Sequence, residues 1–335
     1  MNTTASTETV TSRTPRVFTI TLNPAIDQTV RIARLVPGEV HRALGQQSEA
    51  GGKGIGVAAV LAALGVPVTA SGWLGADNAG VFEAAFAAKG IDDAMVRVTG
   101  STRTNIKLAD VARGDSTDIN LPGLALAPDA LQVAEASLLA GLQKQVRPGD
   151  WCELAGSLPP GATLEVWLRL ARALSASGAH IAIDTGGAVL LQLLQQLREL
   201  AIPVALVKPN RAELEELAGR VLPTLADVAD AASALCGDGG VQRAVVSLGG
   251  EGAVIVSAEG RWFADAPRVA VATTVGAGDA LVAGTLAALV QGDGFPQAAV
   301  FGMACAAARI QRIAPGLPPR AEVDAIAAAI VPRPI

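Results

Sequence analysis

Residues 151–184 run WCELAGSLPPGATLEVWLRLARALSASGAHIAID. The two ends, 151–155 and 180–184, are short apolar runs of strand length, and 163–177 between them carries its large apolar residues at helical spacing. Gly178 follows where a left-handed helix cap is needed. A strand, a crossover helix and a second strand form a parallel unit. The rhythm continues in both directions. Strands are predicted at 17–22, 68–73, 204–208, 243–248 and 253–257, and helices at 54–64, 79–89, 129–145, 187–199, 211–218, 225–236, 277–291, 296–312 and 321–330. The fold class is therefore α/β, with a mainly parallel central sheet flanked by helices on both faces.

Two stretches break the series. Residues 28–44 and 95–111 alternate polar and apolar, as in Thr104-Asn105-Ile106-Lys107-Leu108, which is the pattern of antiparallel strands with one wet face. They are expected to form a small antiparallel β lid, inserted at about 28–46 and 95–120 into one domain spanning 16–335. Residues 1–15, rich in Thr and Ser with no apolar run, read as a disordered tail and not as a secretory signal. All of 54–76 is uncharged, yet Gly65-Val66-Pro67 interrupts it, so a helix followed by a buried strand explains it better than a membrane span.

Half of the 335 residues are apolar, enough for a large core. Net charge is −5 with scattered basic residues, so no polycationic face exists for a nucleic-acid backbone. Cys152, Cys236 and Cys305 are far apart and form no C-x-x-C pair. They read as reduced core thiols of a cytoplasmic protein.

Thr273-Thr274-Val275-Gly276-Ala277-Gly278-Asp279 runs straight into a helical pattern. Small residues at a helix start leave backbone N–H groups open to an anion, and Asp279 beside them is placed to accept a proton. A plain Gly-rich turn with Asp279 complementing the helix dipole would read the same way. Gly51-Gly52-Lys53-Gly54-Ile55-Gly56 also opens a helix, with Lys53 able to charge-pair a phosphate, although a helix-packing role fits equally. Neither loop is a Walker A motif or a dinucleotide fingerprint, since Leu281 holds the third glycine position in one and no buried strand precedes the other. Asn210 and Glu213 in KPNRAE are spaced as a capping box, and the same oxygens suit a hydrated magnesium ion. Arg103 and Lys107, an even number apart, share a strand face, either solvated or gripping a phosphate. Asp27 fits a sugar-hydroxyl acceptor or a turn.

Read in order, TLNPAID at 21–27, GGKGI at 51–55, TRTNIK at 102–107, TDINLPG at 117–123, AGSLP at 155–159, DTGG at 184–187, VKPNRAEL at 207–214, VVSLGGEGA at 245–253 and TVGAGD at 274–279 resemble the ribokinase-like (PfkB) sugar kinases. Within them the text is most similar to the 1-phosphofructokinase and tagatose-6-phosphate kinase branch. The resemblance covers Val17 to Ala329. It implies a ribokinase-like fold and ATP-dependent phosphorylation of a ketohexose phosphate, with fructose 1-phosphate the favoured acceptor and fructose 6-phosphate or tagatose 6-phosphate as alternatives. It further implies Asp279 as base, with the amides of Gly276, Ala277 and Gly278 as anion hole. The sugar phosphate would meet Asp27, Gly51, Gly52, Lys53, Arg103, Lys107 and Ser157, with Arg42 reaching in from a partner subunit. ATP would lie against Lys208, Asn210, Ser247, Gly249, Gly252 and Thr274, with Mg2+ held through water by Asn210 and Glu213. A homodimer joined through the lid sheets follows.

Two positions depart from the pattern. Gly56 stands where the family usually has Asn, losing an amide toward the sugar, and Gly186 where it often has Ser. A regulator that binds nucleotide or sugar without turnover is the rival that Gly56 suggests, opposed by intact Asp279, Asn210 and Glu213. A dinucleotide-dependent oxidoreductase fails on the spacing of both glycine loops.

Overall fold

Alternation along Val17–Thr21 (β1) sends Phe18 and Ile20 to one face of a sheet and Val17, Thr19 and Thr21 to the other, and all five are buried. A strand covered on both faces needs helices above and below it. The computed structural model, which describes residues 13–237 and 240–335, supplies them. Up to residue 12, the tail expected at 1–15 lies outside the described residues.

The chain continues through Ala25–Ile32 (β2), Gly45–Gly51 (β3), Lys53–Ala63 (α1), Val68–Gly75 (β4), Gly80–Lys89 (α2), Asp92–Val98 (β5), Thr104–Asp110 (β6) and Asp115–Ile119 (β7). Next come Pro128–Gln145 (α3), Trp151–Ala155 (β8), Leu164–Ala176 (α4), His180–Asp184 (β9), Gly187–Glu199 (α5), Leu206–Val207 (β10), Arg211–Ala218 (α6) and Leu225–Gly237 (α7). Arg243–Ser247 (β11), Gly252–Ser257 (β12), Gly260–Asp265 (β13), Ala277–Gln291 (α8), Phe295–Ile310 (α9), Arg320–Ala328 (α10) and Arg333–Pro334 (β14) complete it. The main sheet has the order β14-β13-β12-β11-β10-β9-β8-β1-β4-β5. From β11 to β5 every pair is parallel, and the β11–β14 end is antiparallel.

One core packs Ile55, Leu61, Phe82, Leu286 and Phe301 from α1, α2, α8 and α9 against Val17, Ala70 and Ala182. The other packs Leu138, Trp167, Leu170 and Leu193 from α3, α4 and α5 against Phe18, Ile20, Leu154 and Ile181. The uncharged stretch 54–76 is divided between α1 and β4, with Gly65 at φ 75° between them. Among the described residues no helix is long and apolar enough to cross a membrane.

Helices α8 and α9 touch at glycines. A Cβ on Gly302 would lie 2.4 Å from the Leu281 carbonyl oxygen, and one on Gly284 would lie 2.8 Å from Gly302 Cα. Contact at that range holds α8, and with it the residues of its first turn, in one orientation.

The small sheet has the order β3-β2-β6-β7. Its hairpins β2–β3 and β6–β7 are antiparallel, while the central pair β2–β6 is parallel. Residues 33–44, expected as strand, form no strand, and Gly45–Gly51 supplies the partner of β2. Residues 95–98 fall in β5 at the edge of the main sheet, where Met95 and Val98 are buried and pair with β4. Polar–apolar alternation identifies a strand with one wet face but does not say which sheet it joins.

Candidate active site

Parallel strands deliver their C-terminal ends to one edge of a sheet, and ligands gather there. Here β1, β8, β9, β10 and β11 end at Thr21, Ala155, Asp184, Val207 and Ser247. Asp279 is the third residue of α8, which starts after Gly276 in the left-handed region at φ 79°. No side chain caps this helix. The Ala277 amide reaches the Thr274 carbonyl at 3.4 Å, a long contact, so the first turn retains donors for an anion.

Asp279 is half-buried, and its pKa is raised to about 7. Burial is the main cause and the nearby Asp184 carboxylate the second, while Lys53 and Lys208 pull the other way. Its Oδ2 lies against α1, only 2.2 Å from where a Cβ on Gly56 would be. Gly56 therefore does more than omit an amide. It provides the space that this carboxylate occupies.

Asp184 was not among the expected site residues, yet it joins the two ends of the cleft. Lys53 Nζ lies 3.0 Å and Lys208 Nζ 3.5 Å from the same oxygen, Asp184 Oδ1. Burial opposes the charge on Lys53, but Asp184, with Glu213 and Asp279, outweighs it and holds this lysine above its ordinary pKa. Lys208 Nζ is also 3.4 Å from a Cβ position on Gly278, which sets it against the first turn of α8. The DTGG text and the abrupt end of an apolar strand in an aspartate were the available signals.

At the other end, β2 brings Asp27 opposite Asn105 of β6, whose Nδ2 donates to Asp27 Oδ1 at 3.0 Å. Burial raises the Asp27 pKa, and the Asn105 hydrogen bond, Lys107 and Arg103 offset part of that rise. Gly51 makes room for it, since a Cβ there would lie 2.1 Å from Asp27 Oδ2. Gly52 caps α1 at φ 117° and passes the chain to Lys53. Asn23 Nδ2 donates to Ser157 Oγ at 3.0 Å, linking the first strand's exit to the loop after β8.

Arg103 is less free than its sequence suggested. Its guanidinium donates to the carbonyls of Asn23 at 3.1 Å, Pro24 at 3.3 Å and Leu121 at 2.7 Å. Two of its five N–H groups remain for a ligand. Lys107 Nζ lies 3.8 Å from Asp118. Arg42 is exposed on the loop between β2 and β3.

Beyond Gly278 opens a cleft of about 740 Å³, lined by Ser247, Gly249, Gly252, Thr274, Gly278 and Met303 among others. Asn210 pairs with Ser247 in a parallel bridge, so the α6 N-terminus borders this cleft. The capping box is present: Asn210 Oδ1 accepts from the Glu213 amide at 2.9 Å, and Glu213 Oε2 accepts from the Asn210 amide at 2.8 Å. Glu213 Oε1 turns instead toward Gly186, where a Cβ would lie 2.7 Å away. An oxygen-only donor set with one carboxylate oxygen outside the cap suits a hard, hydrated divalent cation.

The model of the pfkB family carbohydrate kinases matches residues 20–321. The chain is 48% identical over 275 residues to the 1-phosphofructokinase of Xanthomonas campestris pv. campestris, covering 82% of this chain and 84% of that one. With the 1-phosphofructokinase of Rhodobacter capsulatus it shares 39% identity over 314 residues, 94% and 96% of the two chains. The structure of phosphofructokinase-2 from Escherichia coli in complex with fructose-6-phosphate superposes with a TM-score of 0.84 at 30% identity, covering 94% of this chain and 99% of that one. A tetrameric inhibited form of the same Escherichia coli protein is similar at a TM-score of 0.84.

Proposed function

This chain belongs to the pfkB family of carbohydrate kinases, and we propose that it transfers the γ-phosphoryl group of ATP to fructose 1-phosphate, giving fructose 1,6-bisphosphate and ADP. It is a phosphotransferase with an alcohol acceptor. The observation that carries the reading is the placement of Asp279. A carboxylate with a pKa of about 7 lies in the first turn of a helix with unclaimed amides, between a lysine beside the sugar-phosphate residues and one beside the nucleotide cleft.

In this reading the acceptor's 6-hydroxyl is held near Asp279, with Asp27 and Asn105 ordering the other sugar hydroxyls. Lys53 and the two remaining donors of Arg103 bind the phosphate already on the sugar. As the 6-oxygen attacks the γ-phosphorus, its proton passes to Asp279 and the bond to the ADP oxygen breaks. Charge on the transferring group is met by the first-turn amides of α8 and by Lys208. Asn210 and Glu213 would hold Mg2+ through water, and the ion supplies charge neutralisation for the nucleotide phosphates when bound. The protein's main contribution is position and field.

The small sheet stands over the sugar end and serves as the lid. Ile119 on its edge strand, with Val40 and Leu44 on the β2–β3 loop and Val111 just after β6, are exposed apolar residues that fit a subunit contact between two such sheets, with Arg42 reaching across. Three free cysteines, two of them buried, accord with a reducing cytoplasm.

A second acceptor is favoured by one finding, the likeness to a structure holding fructose-6-phosphate. Purified protein with ATP and magnesium separates the readings in one kinetic panel of fructose 1-phosphate, fructose 6-phosphate and tagatose 6-phosphate. The highest kcat/KM is expected for fructose 1-phosphate, and a clear lead for either 6-phosphate would replace it.

Arg103→Ala tests the sugar end. It is expected to raise KM for the sugar phosphate by roughly tenfold or more, the scale of a lost charge-assisted hydrogen bond, and to leave KM for ATP nearly unchanged. Equal loss for both substrates would show that its carbonyl contacts matter and its phosphate role does not.

A further inference from the structure

Trp151-Cys152-Glu153-Leu154-Ala155 is a fully buried strand with one acid in its middle. Glu153 has no exposure, and neither of its carboxyl oxygens has a partner. Of the seven buried side-chain polar atoms without a partner among the described residues, five lie in one layer: both Glu153 oxygens, Asp184 Oδ2 and the hydroxyls of Thr19 and Thr21. Strand register puts them there. Thr19 pairs with Glu153, Glu153 with Ala182, and Thr21 with Ala155, which pairs with Asp184, so these side chains share the face covered by α1 and α8.

The charges facing Glu153 are Asp184 on β9, Asp279 on α8, Lys53 on α1 and Lys208 after β10. An ionised Glu153 would make three carboxylates against two lysines with no hydrogen bond of its own, a costly state for a buried charge. Burial first, and the charges of Asp184 and Asp279 next, push its pKa well above the usual carboxylate range. A protonated glutamic acid has one O–H to donate. Asp184 lies two residues beyond the cross-strand partner of Glu153 and on the same face of the sheet. Its Oδ2 lacks a donor, while both lysines hold Oδ1.

We infer that Glu153 is a positioning residue that carries a proton and donates it in a hydrogen bond to Oδ2 of Asp184, fixing the carboxylate that aims Lys53 at the sugar phosphate and Lys208 at the nucleotide. An apolar residue of the same size would spare the desolvation cost of this acid, but it would leave Asp184 free to turn and both lysines with it. The inference rests on the kinase reading only for its activity readout.

Three proteins test it: the parent, Glu153→Gln, which keeps an N–H donor, and Glu153→Met, which keeps the volume and loses the donor. At alkaline pH, where Asp279 is ionised, the parent should show an infrared carbonyl band of a protonated carboxyl group that disappears in Glu153→Gln. The Gln protein should retain kcat/KM within about threefold of the parent, whereas the Met protein should lose roughly tenfold toward both substrates with an unchanged or higher Tm. The inference fails if no band is lost, if Met is as active as the parent, or if Gln falls as far as Met. Should the Met protein not fold, the band and the Gln rates decide. A parent that turns over no sugar phosphate would defeat the kinase reading, and the band would still decide the state of Glu153.

Discussion

Asp279→Asn is expected to lower kcat by roughly 10²–10⁴, the range of a lost general base, while KM for both substrates changes little. The asparagine is isosteric and can sit in the same space beside Gly56, so binding and fold are kept and proton acceptance is lost. In the parent, the base must be ionised to act. With its pKa raised to about 7, kcat/KM should fall about tenfold for each pH unit below that value and level off above it. The variant's residual rate should lack this limb.

Stability moves the opposite way. The folded protein binds the Asp279 proton more tightly than the unfolded chain does, because burial has raised this pKa above the ordinary 3.8. Ionisation therefore costs stability progressively as pH rises from the ordinary carboxylate range through about 7. Asp279→Asn should melt a few degrees higher than the parent at alkaline pH and at the same temperature in acid. Parent-like turnover in the variant, or an acid limb unchanged by it, would remove Asp279 from the chemistry.

Asp184→Ala should be the most damaging single change for stability. Asp184 is 2% exposed and Lys208 9%, so its removal strands a buried ammonium group, a loss of roughly 3–5 kcal/mol by comparison with other broken buried pairs. The Lys53 arm adds less, because that lysine is 38% exposed and solvent screens it. Whatever fraction folds should be at least roughly 10²-fold slower, since both lysines lose their aim. Urea midpoints with kcat/KM toward ATP and sugar phosphate read both effects. A loss of stability under about 1 kcal/mol would mean that the lysines are held by something other than Asp184.

Much of this was legible in the chain. Strands such as 151–155 and 180–184 came directly from buried apolar runs of the right length, and the helices from their spacing, because local pattern and burial agree in a doubly covered sheet. The helix start that carries Asp279 in its first turn was readable as well, from the small residues that run into an apolar helical pattern. What escaped notice depends on contacts between distant positions. Asp184 reads as an ordinary strand end until Lys53 and Lys208, 131 and 24 residues away, converge on one of its oxygens. Arg103 reads as a free cation, and only the fold brings the carbonyls of Asn23, Pro24 and Leu121 onto it. Glu153 lay in plain view as one acid in a hydrophobic run, an anomaly whose meaning required the register of its neighbours.

The contact between Gly56 and Asp279 also bears on how this sequence can change over time. Any side chain at 56 must displace the carboxylate from its present position, so placing an asparagine there also moves Asp279. An exchange at this one position therefore reaches the reacting carboxylate as well as the sugar pocket, and a change in substrate preference made there cannot be separated from a change in rate.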